Sequence, residues 1–311
     1  MKPIRTYTKL FSSLFLIFML NACIGHQSTD ETTTRGKIKI SADEAFRLII
    51  DSQIHTFINS YIHSDIIPLY VSEGEAMDLL LQDSVRLAIV SRALNTQEEA
   101  YFEERKIIPR ITKIATDGVA FIVNTQNIDS NFTVAQIESI FKGEMNAWEQ
   151  LNAANKAGKI SLVFDHNRSG TARFIRETFK IEAFPEFCYA VNNNAEVINY
   201  VEANPYAIGV VGVNWISDTD DSVSIDFLKK IKVVGIAANS ENPEYLKPFQ
   251  GYLANGEYPF TRDVFIISRE SFAGLGTGFA SFVAGDKGQR IILKSGLVPA
   301  TAPVRLVKVR E

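Results

Sequence analysis

Two hydrophobic periods alternate along this chain. Lys37-Ile38-Lys39-Ile40 alternates with a period of two, the pattern of a half-buried strand. Apolar Ala45, Phe46, Ile49 and Ile50 then follow at helical spacing, after a capping-box pattern at Ser41-Ala42-Asp43-Glu44. A second helix is predicted around residues 54–62, and a strand over 66–71. That strand runs straight into Ser72-Glu73-Gly74-Glu75, another capping-box pattern, and a helix with Ala76, Leu79 and Leu80 on one face. Residues 85–90 form an uninterrupted apolar strand that stops at Ser91-Arg92.

The middle of the chain repeats the alternation. Residues 118–124 predict a buried strand, and Thr133-Val134-Ala135-Gln136 caps a helix bearing Ile137, Ile140 and Phe141. A strand over 160–164 ends at Asp165-His166-Asn167-Arg168-Ser169-Gly170-Thr171, which opens a helix with Ala172, Ile175 and Phe179 inward. A helix over 197–203 and a strand over 207–212 follow. The last third holds a turn and strand over 258–267, then helices over 279–284 and 287–294, stopped by Gly296 and Pro299. Strands and helices alternating through short links predict an α/β fold with a mostly parallel sheet. Ligands of such sheets sit at the carboxyl ends of the strands. Ser41, Ser72, Ser91 and Ser169 are all placed there.

The amino terminus reads as an export signal. Lys2, Arg5 and Lys9 precede an apolar core over 10–20, and Leu20-Asn21-Ala22-Cys23 resembles a bacterial lipobox. The apolar core is about half of what a spanning helix needs. The reading is a signal peptide over 1–22, lipid on Cys23, and a flexible tether over 23–35. Removing the signal takes away three positive charges and moves the formal net charge from −4 to −7. Such an acidic protein is a poor general nucleic-acid binder, so any anion site must be built locally. With Cys23 lipidated, Cys188 is the one remaining thiol and no intramolecular disulfide is expected. The histidines at 26, 55, 63 and 166 have no metal-ligand spacing, and no cofactor is expected.

Ser169-Gly170-Thr171 carries the clearest candidate chemistry. At a helix start the first N–H groups lack partners and the dipole is positive. Two hydroxyls, a glycine permitting close approach, and flanking Arg168 and Arg173 compose an oxyanion cradle. One such motif alone is adequately explained as a capped helix; the recurrence at four strand ends points to a shared anion site. Other motifs carry less. The acidic run at 218–221 lacks the remaining positions of a calcium loop. Gly274-Leu275-Gly276-Thr277-Gly278 lacks a leading strand and the dinucleotide spacing, so it reads as a loop before a helix. Asp165, His166 and Ser169 are too close in sequence for a hydrolase triad, and no nucleophile elbow occurs, so no enzymatic activity is expected.

Several of these motifs together resemble phosphate-binding proteins of ABC transporters: residues 132–143 with Asn146 and Trp148, Ser169-Gly170-Thr171, Ala207-Ile208-Gly209, Tyr258-Pro259-Phe260-Thr261-Arg262, Phe282 with Gly288-Gln289, and Gly296-Leu297-Val298-Pro299. The similarity runs in order from about Lys37 to Pro299. It implies a two-lobed type II periplasmic-binding-protein fold hinged on two crossing strands, with lobe 1 over 36–116 and 252–311 and lobe 2 over 117–251. Together with the lipobox reading, the expectation is a monomeric lipoprotein of the cell envelope, facing periplasm or exterior, that by this resemblance binds inorganic phosphate between the lobes and delivers it to an ABC transporter permease. The alternatives are another oxyanion, or a sensing role without transport. By position, Ser169, Gly170 and Thr171 bind phosphate from lobe 2, and Ser41 and Ser72 from lobe 1. Two departures rearrange the site's charges. Asp165 stands where the family shows arginine, and Ser91-Arg92 stands where an aspartate is expected. Asp165, Arg168, Arg173, Ser91 and Arg92 therefore complete the candidate set.

Overall fold

The computed structural model describes residues 31–301 except 219–221, together with residue 304. The first lobe begins with β1 (Gly36–Asp43), a 3-10 turn (Glu44–Phe46), α1 (Arg47–Ser60), β2 (Ser64–Val71), α2 (Glu73–Leu81), β3 (Leu87–Val90) and α3 (Thr96–Glu104). β4 (Arg110–Asn124) carries the chain into the second lobe, built from β5 (Asn131–Thr133), α4 (Val134–Phe141), α5 (Trp148–Leu151), β6 (Ser161–Phe164), α6 (Gly170–Phe179), β7 (Cys188–Ala190), α7 (Asn194–Ala203) and β8 (Ala207–Gly212). A second 3-10 turn (Val213–Trp215), α8 (Ser222–Lys230), β9 (Ile231–Val233), β10 (Gly235–Ala237) and α9 (Gln250–Ala254) complete it. The chain returns through β11 (Thr261–Ser268), α10 (Leu275–Ala284), α11 (Asp286–Lys294) and β12 (Val298–Pro299).

The main sheet has the order β2-β1-β3-β11-β4-β8-β6-β7. At its two ends β1 lies parallel to β2 and β3, and β6 parallel to β7 and β8. Its centre is antiparallel, with β11 against β3 and β4, and β4 against β8. The expected mostly parallel sheet is thus mixed. The strands that pass between lobes run in opposite directions, because the chain goes out on one and returns on the other.

Two sets of apolar side chains lie either side of this crossing. Ile114 and Ala115 of β4 pack with Ile40, Phe46, Phe57 and Phe279, whereas residues from Val119 onward pack with Phe141, Trp148, Ile175 and Ile208. On the return, Tyr258 and Phe260 join the second core, and Val264 and Ile266 the first. A smaller first-lobe cluster sits beneath α2, with Met77, Leu80 and Phe102. Each fully buried aromatic or aliphatic side chain contributes about 1.5–3 kcal/mol. The lobes therefore have independent reasons to stay folded.

Local signals explain most helix starts. Thr133 and Gln136 form the expected capping box of α4, and Asn95 and Glu98 form another at α3. The first helix differs from expectation. Strand β1 runs on through Ser41 and Ala42, so the cap is Asp43, whose side chain accepts from the Ala45 N–H at 3.1 Å. The two helices predicted over 45–62 are one helix after a 3-10 turn. Residues 1–30, with the signal reading and Cys23, lie outside the described residues. The last part of the predicted tether, residues 31–35, lies against the body: the Leu275 N–H donates to Glu31 Oε1 at 3.2 Å. No helix among the described residues is long and apolar enough to cross a membrane.

Candidate functional site

α6 begins where β6 ends, one loop later, at the junction of the lobes. Ser169 is its N-cap and accepts from the Ala172 N–H at 3.1 Å. The next N–H, on Gly170, leaves the lobe altogether. It donates to Oδ2 of Asp43, at the end of β1, at 2.8 Å. The start of α7 does the same: the Asn194 N–H and its side-chain amide donate to Glu44 Oε2 at 3.0 and 2.8 Å. Two helix N-termini of lobe 2, each with a positive dipole end, thus rest on consecutive carboxylates of lobe 1.

A third carboxylate, Glu73 at the start of α2, completes the contact. Arg173 of α6 donates to it and also to the carbonyl and hydroxyl of Ser91, both at 3.0 Å. Ser91 donates to Glu73 Oε2 through its N–H at 2.8 Å and its hydroxyl at 2.6 Å. The space is full. A β-carbon at Gly170 would lie 2.5 Å from Asp43 Oδ2 and 2.7 Å from Glu73 Oε2, with Ser91 Oγ closer still. Glycine at 170 is what lets these oxygens approach the backbone.

The sequence-predicted residues fall into three groups. Asp165, Ser169, Gly170, Thr171, Arg173 and Ser91 are brought together at this junction. Ser41 and Ser72 face other work: Ser41 donates its hydroxyl to the Ala76 carbonyl at 2.9 Å, and Ser72 caps α2. Arg92 and Arg168 stand at the rim, Arg92 clamping Glu98 with two contacts at 2.7 Å and Arg168 reaching Asp78 at 2.7 Å.

Sequence reasoning missed Asp43, Glu44, Glu73, Asn194, Asp117 and Arg262. Continuing the alternation of Ile38, Ile40 and Ala42 would have carried β1 to Asp43 and put both acidic residues at a strand end. Arg262 was visible only as part of a motif. It lies where the chain returns to the first lobe, 5% exposed, with Nε and Nη2 donating to Asp117 Oδ2 at 3.1 and 3.0 Å. Its Nη1 donates to the Thr171 hydroxyl at 3.4 Å, and its guanidinium packs over the Phe46 ring at 5.1 Å.

Burial pushes Asp43 well above the usual carboxylate range, and the nearby Asp165 and Glu73 charges push it further, with Arg262 opposing. Asp165 and Asp117 are also raised by burial, offset in part by the Ser169 hydrogen bond and by Arg262 respectively. Glu44 is raised, again by burial. Burial acts to raise Glu73 too, but hydrogen bonding and charge from Arg173 outweigh it and leave Glu73 below its ordinary value. Asp165 Oδ1 and Asn194 Oδ1 are buried and accept no hydrogen bond from the described residues.

The arrangement can hold anionic oxygens on backbone N–H groups and guanidinium donors. It does not assemble a nucleophile: His166 Nδ1 accepts from the Arg168 N–H, and Ser169 Oγ from Ala172. Among the described residues no group of three or more His, Cys, Asp or Glu is placed to hold a metal ion.

A family model described as the PBP superfamily domain matches residues 27–287. The chain belongs to the PBP superfamily. Among curated relatives of this PBP chain is the phosphate-binding protein PstS of Staphylococcus epidermidis, 23% identical over 280 residues, covering 87% of this chain and 82% of that one. Among solved structures, a putative phosphate ABC transporter substrate-binding protein from Clostridium perfringens, with bound phosphate, superposes with a TM-score of 0.72 at 18% identity, covering 86% of this chain and all of the other. An ABC-type phosphate transport receptor from Vibrio cholerae superposes with a TM-score of 0.63 at 19% identity over 85% of this chain. The fold is the two-lobed type II periplasmic-binding-protein fold, hinged on crossing strands, and its relatives are binding proteins rather than enzymes.

Proposed function

We propose that this PBP-superfamily protein binds inorganic phosphate between its lobes and delivers it to an ABC transporter permease, as a monomer tethered to the cell envelope by lipid on Cys23. The observation that carries the ligand class is the carboxyl oxygen of Asp43 resting on the Gly170 N–H at 2.8 Å, an acid oxygen held across the lobes at a helix start. Arg262 and Arg173 add cationic donors, and Thr171 a hydroxyl, within the same junction. The names carried by the relatives support phosphate in particular.

Isothermal titration of the mature protein against phosphate, sulfate and molybdate tests the reading. Saturable heat with phosphate is expected, with sulfate weaker by at least one decade. Saturation by sulfate alone, or by none of the three, overturns the phosphate assignment.

A further inference from the structure

We propose that Asp43 and Glu44 are resident carboxyl groups that set the oxyanion affinity of the site. Each occupies a helix N-terminus that an anionic ligand would use, so the junction takes up an oxyanion only in exchange for a carboxylate. This deepens the phosphate reading and rests on it for the identity of the competing ligand.

Three independent features carry the inference. First, the contacts are paired and directional. Consecutive residues at the end of β1 reach the starts of two separate helices of the other lobe, Asp43 at α6 and Glu44 at α7. Second, the position above Gly170 is already occupied, since even a β-carbon there would meet Asp43, Glu73 and Ser91. Third, the arrangement is electrostatically frustrated. Asp43, Glu44, Glu73 and Asp165 converge on one another, and Asp165 Oδ1 and Asn194 Oδ1 are left as buried acceptors without donors. A ligand bearing both anionic oxygens and a hydroxyl could satisfy groups that the carboxylates do not. An attached side chain nonetheless competes at a high effective concentration, which lowers apparent affinity for any external anion by the fraction of time the carboxylate is away.

Asp43→Ser keeps the cap on the Ala45 N–H while removing the carboxyl group, and Asp43→Gly clears the position. Titrated with inorganic phosphate, Asp43→Ser is expected to bind at least tenfold tighter than the parent, and the Asp43→Ser, Glu44→Ser double variant tighter again. Formate supplies a readout independent of phosphate. At tens of millimolar it should raise the melting temperature of Asp43→Gly by taking the vacated carboxylate position, and should leave the parent unchanged. If formate acts in this way while phosphate binds to no variant, the resident-carboxyl inference stands and the phosphate assignment fails. If formate has no selective effect and phosphate affinity in Asp43→Ser equals or falls below the parent's, the inference is overturned. Should Asp43→Gly fail to fold, Asp43→Ala, which also removes the carboxyl group from the Gly170 N–H, must still tighten phosphate at least threefold; an unchanged affinity there overturns it equally.

Discussion

Replacing Arg262 with methionine should be among the most damaging single changes outside the apolar cores, and its cost should depend on pH in an unusual direction. Arg262 is buried, as is Asp117, and two donors meet one carboxylate oxygen at 3.0 and 3.1 Å. At 3 Å and an effective dielectric of about 20 the attraction is about 5 kcal/mol. Desolvation opposes it, but removing one partner leaves the other charged and buried, which typically costs about 3–5 kcal/mol. Methionine retains most of the aliphatic stem and loses the guanidinium, with its stacking on Phe46, so the loss is chiefly electrostatic. Arg262 also offsets the charges of Asp43 and Glu73. Without it, Asp117 and Asp43 should hold their protons to still higher pH in the folded protein than in the unfolded chain. Folding then takes up protons, and stability rises as pH falls. Urea denaturation followed by the fluorescence of Trp148 and Trp215 should show a loss of about 3–5 kcal/mol at pH 7. About 1–2 kcal/mol of that loss should be recovered at pH 5. A loss under about 1 kcal/mol, or one identical at the two pH values, would refute Arg262 as the counter-charge of this cluster.

Other outcomes follow from the same geometry. Asp43, Glu44, Asp117 and Asp165 all have raised folded values, so their contribution is complete below the ordinary 3.8 of aspartate and 4.5 of glutamate and is lost as pH climbs through the folded values. Glu73 is lowered, so its contribution is present above 4.5 and lost as pH falls through its folded value. The parent should therefore melt highest at mildly acidic pH, and a melting temperature that climbs steadily from pH 5 to pH 8 would contradict this. Thr171→Val should weaken phosphate binding by roughly one to two decades, the worth of a hydroxyl donated to a charged oxygen, while leaving the melting temperature within a few degrees; unchanged binding in titration would make Thr171 purely structural. Cys23→Ser should abolish acyl labelling in cells, and labelling that persists would place the lipid elsewhere.

What could be read from the sequence was whatever local chemistry decides. The Thr133–Gln136 capping box, the Ser169 cap and the inward faces of α4 and α6 depend on residues within a turn or two of one another, and they appear where periodicity placed them. Ser41 shows the limit. A serine three residues before a glutamate looks like a helix start, yet pairing of β1 with β2 through Asp43 extends the strand and gives the cap to aspartate. The antiparallel centre of the sheet was hidden for a similar reason, since β11 pairs with β4 across more than a hundred residues. The carboxylates at the lobe junction were least visible of all. Asp43, Glu44 and Glu73 each look like ordinary helix-start acids, and only the folded chain brings them against Gly170, Asn194 and Arg173. Glu270 shows that the same disguise can be innocent: it accepts from the Gly276 and Thr277 N–H groups of its own lobe, at the glycine-rich loop that opens α10.

β4 runs unbroken for 15 residues, bonded to β11 and β12 at one end and to β8 and β9 at the other. A chain threaded in this way has no separable halves as far as its backbone amides are concerned. Releasing the protons of both Ala115 and Val119 to solvent requires dismantling sheet in both lobes, because the first is paired with β11 and β12 and the second with β8. Slow hydrogen exchange along β4 should accordingly report a single global opening, while the flanking helices exchange by smaller, lobe-specific events. The segment that joins the lobes is thus also the last to come apart.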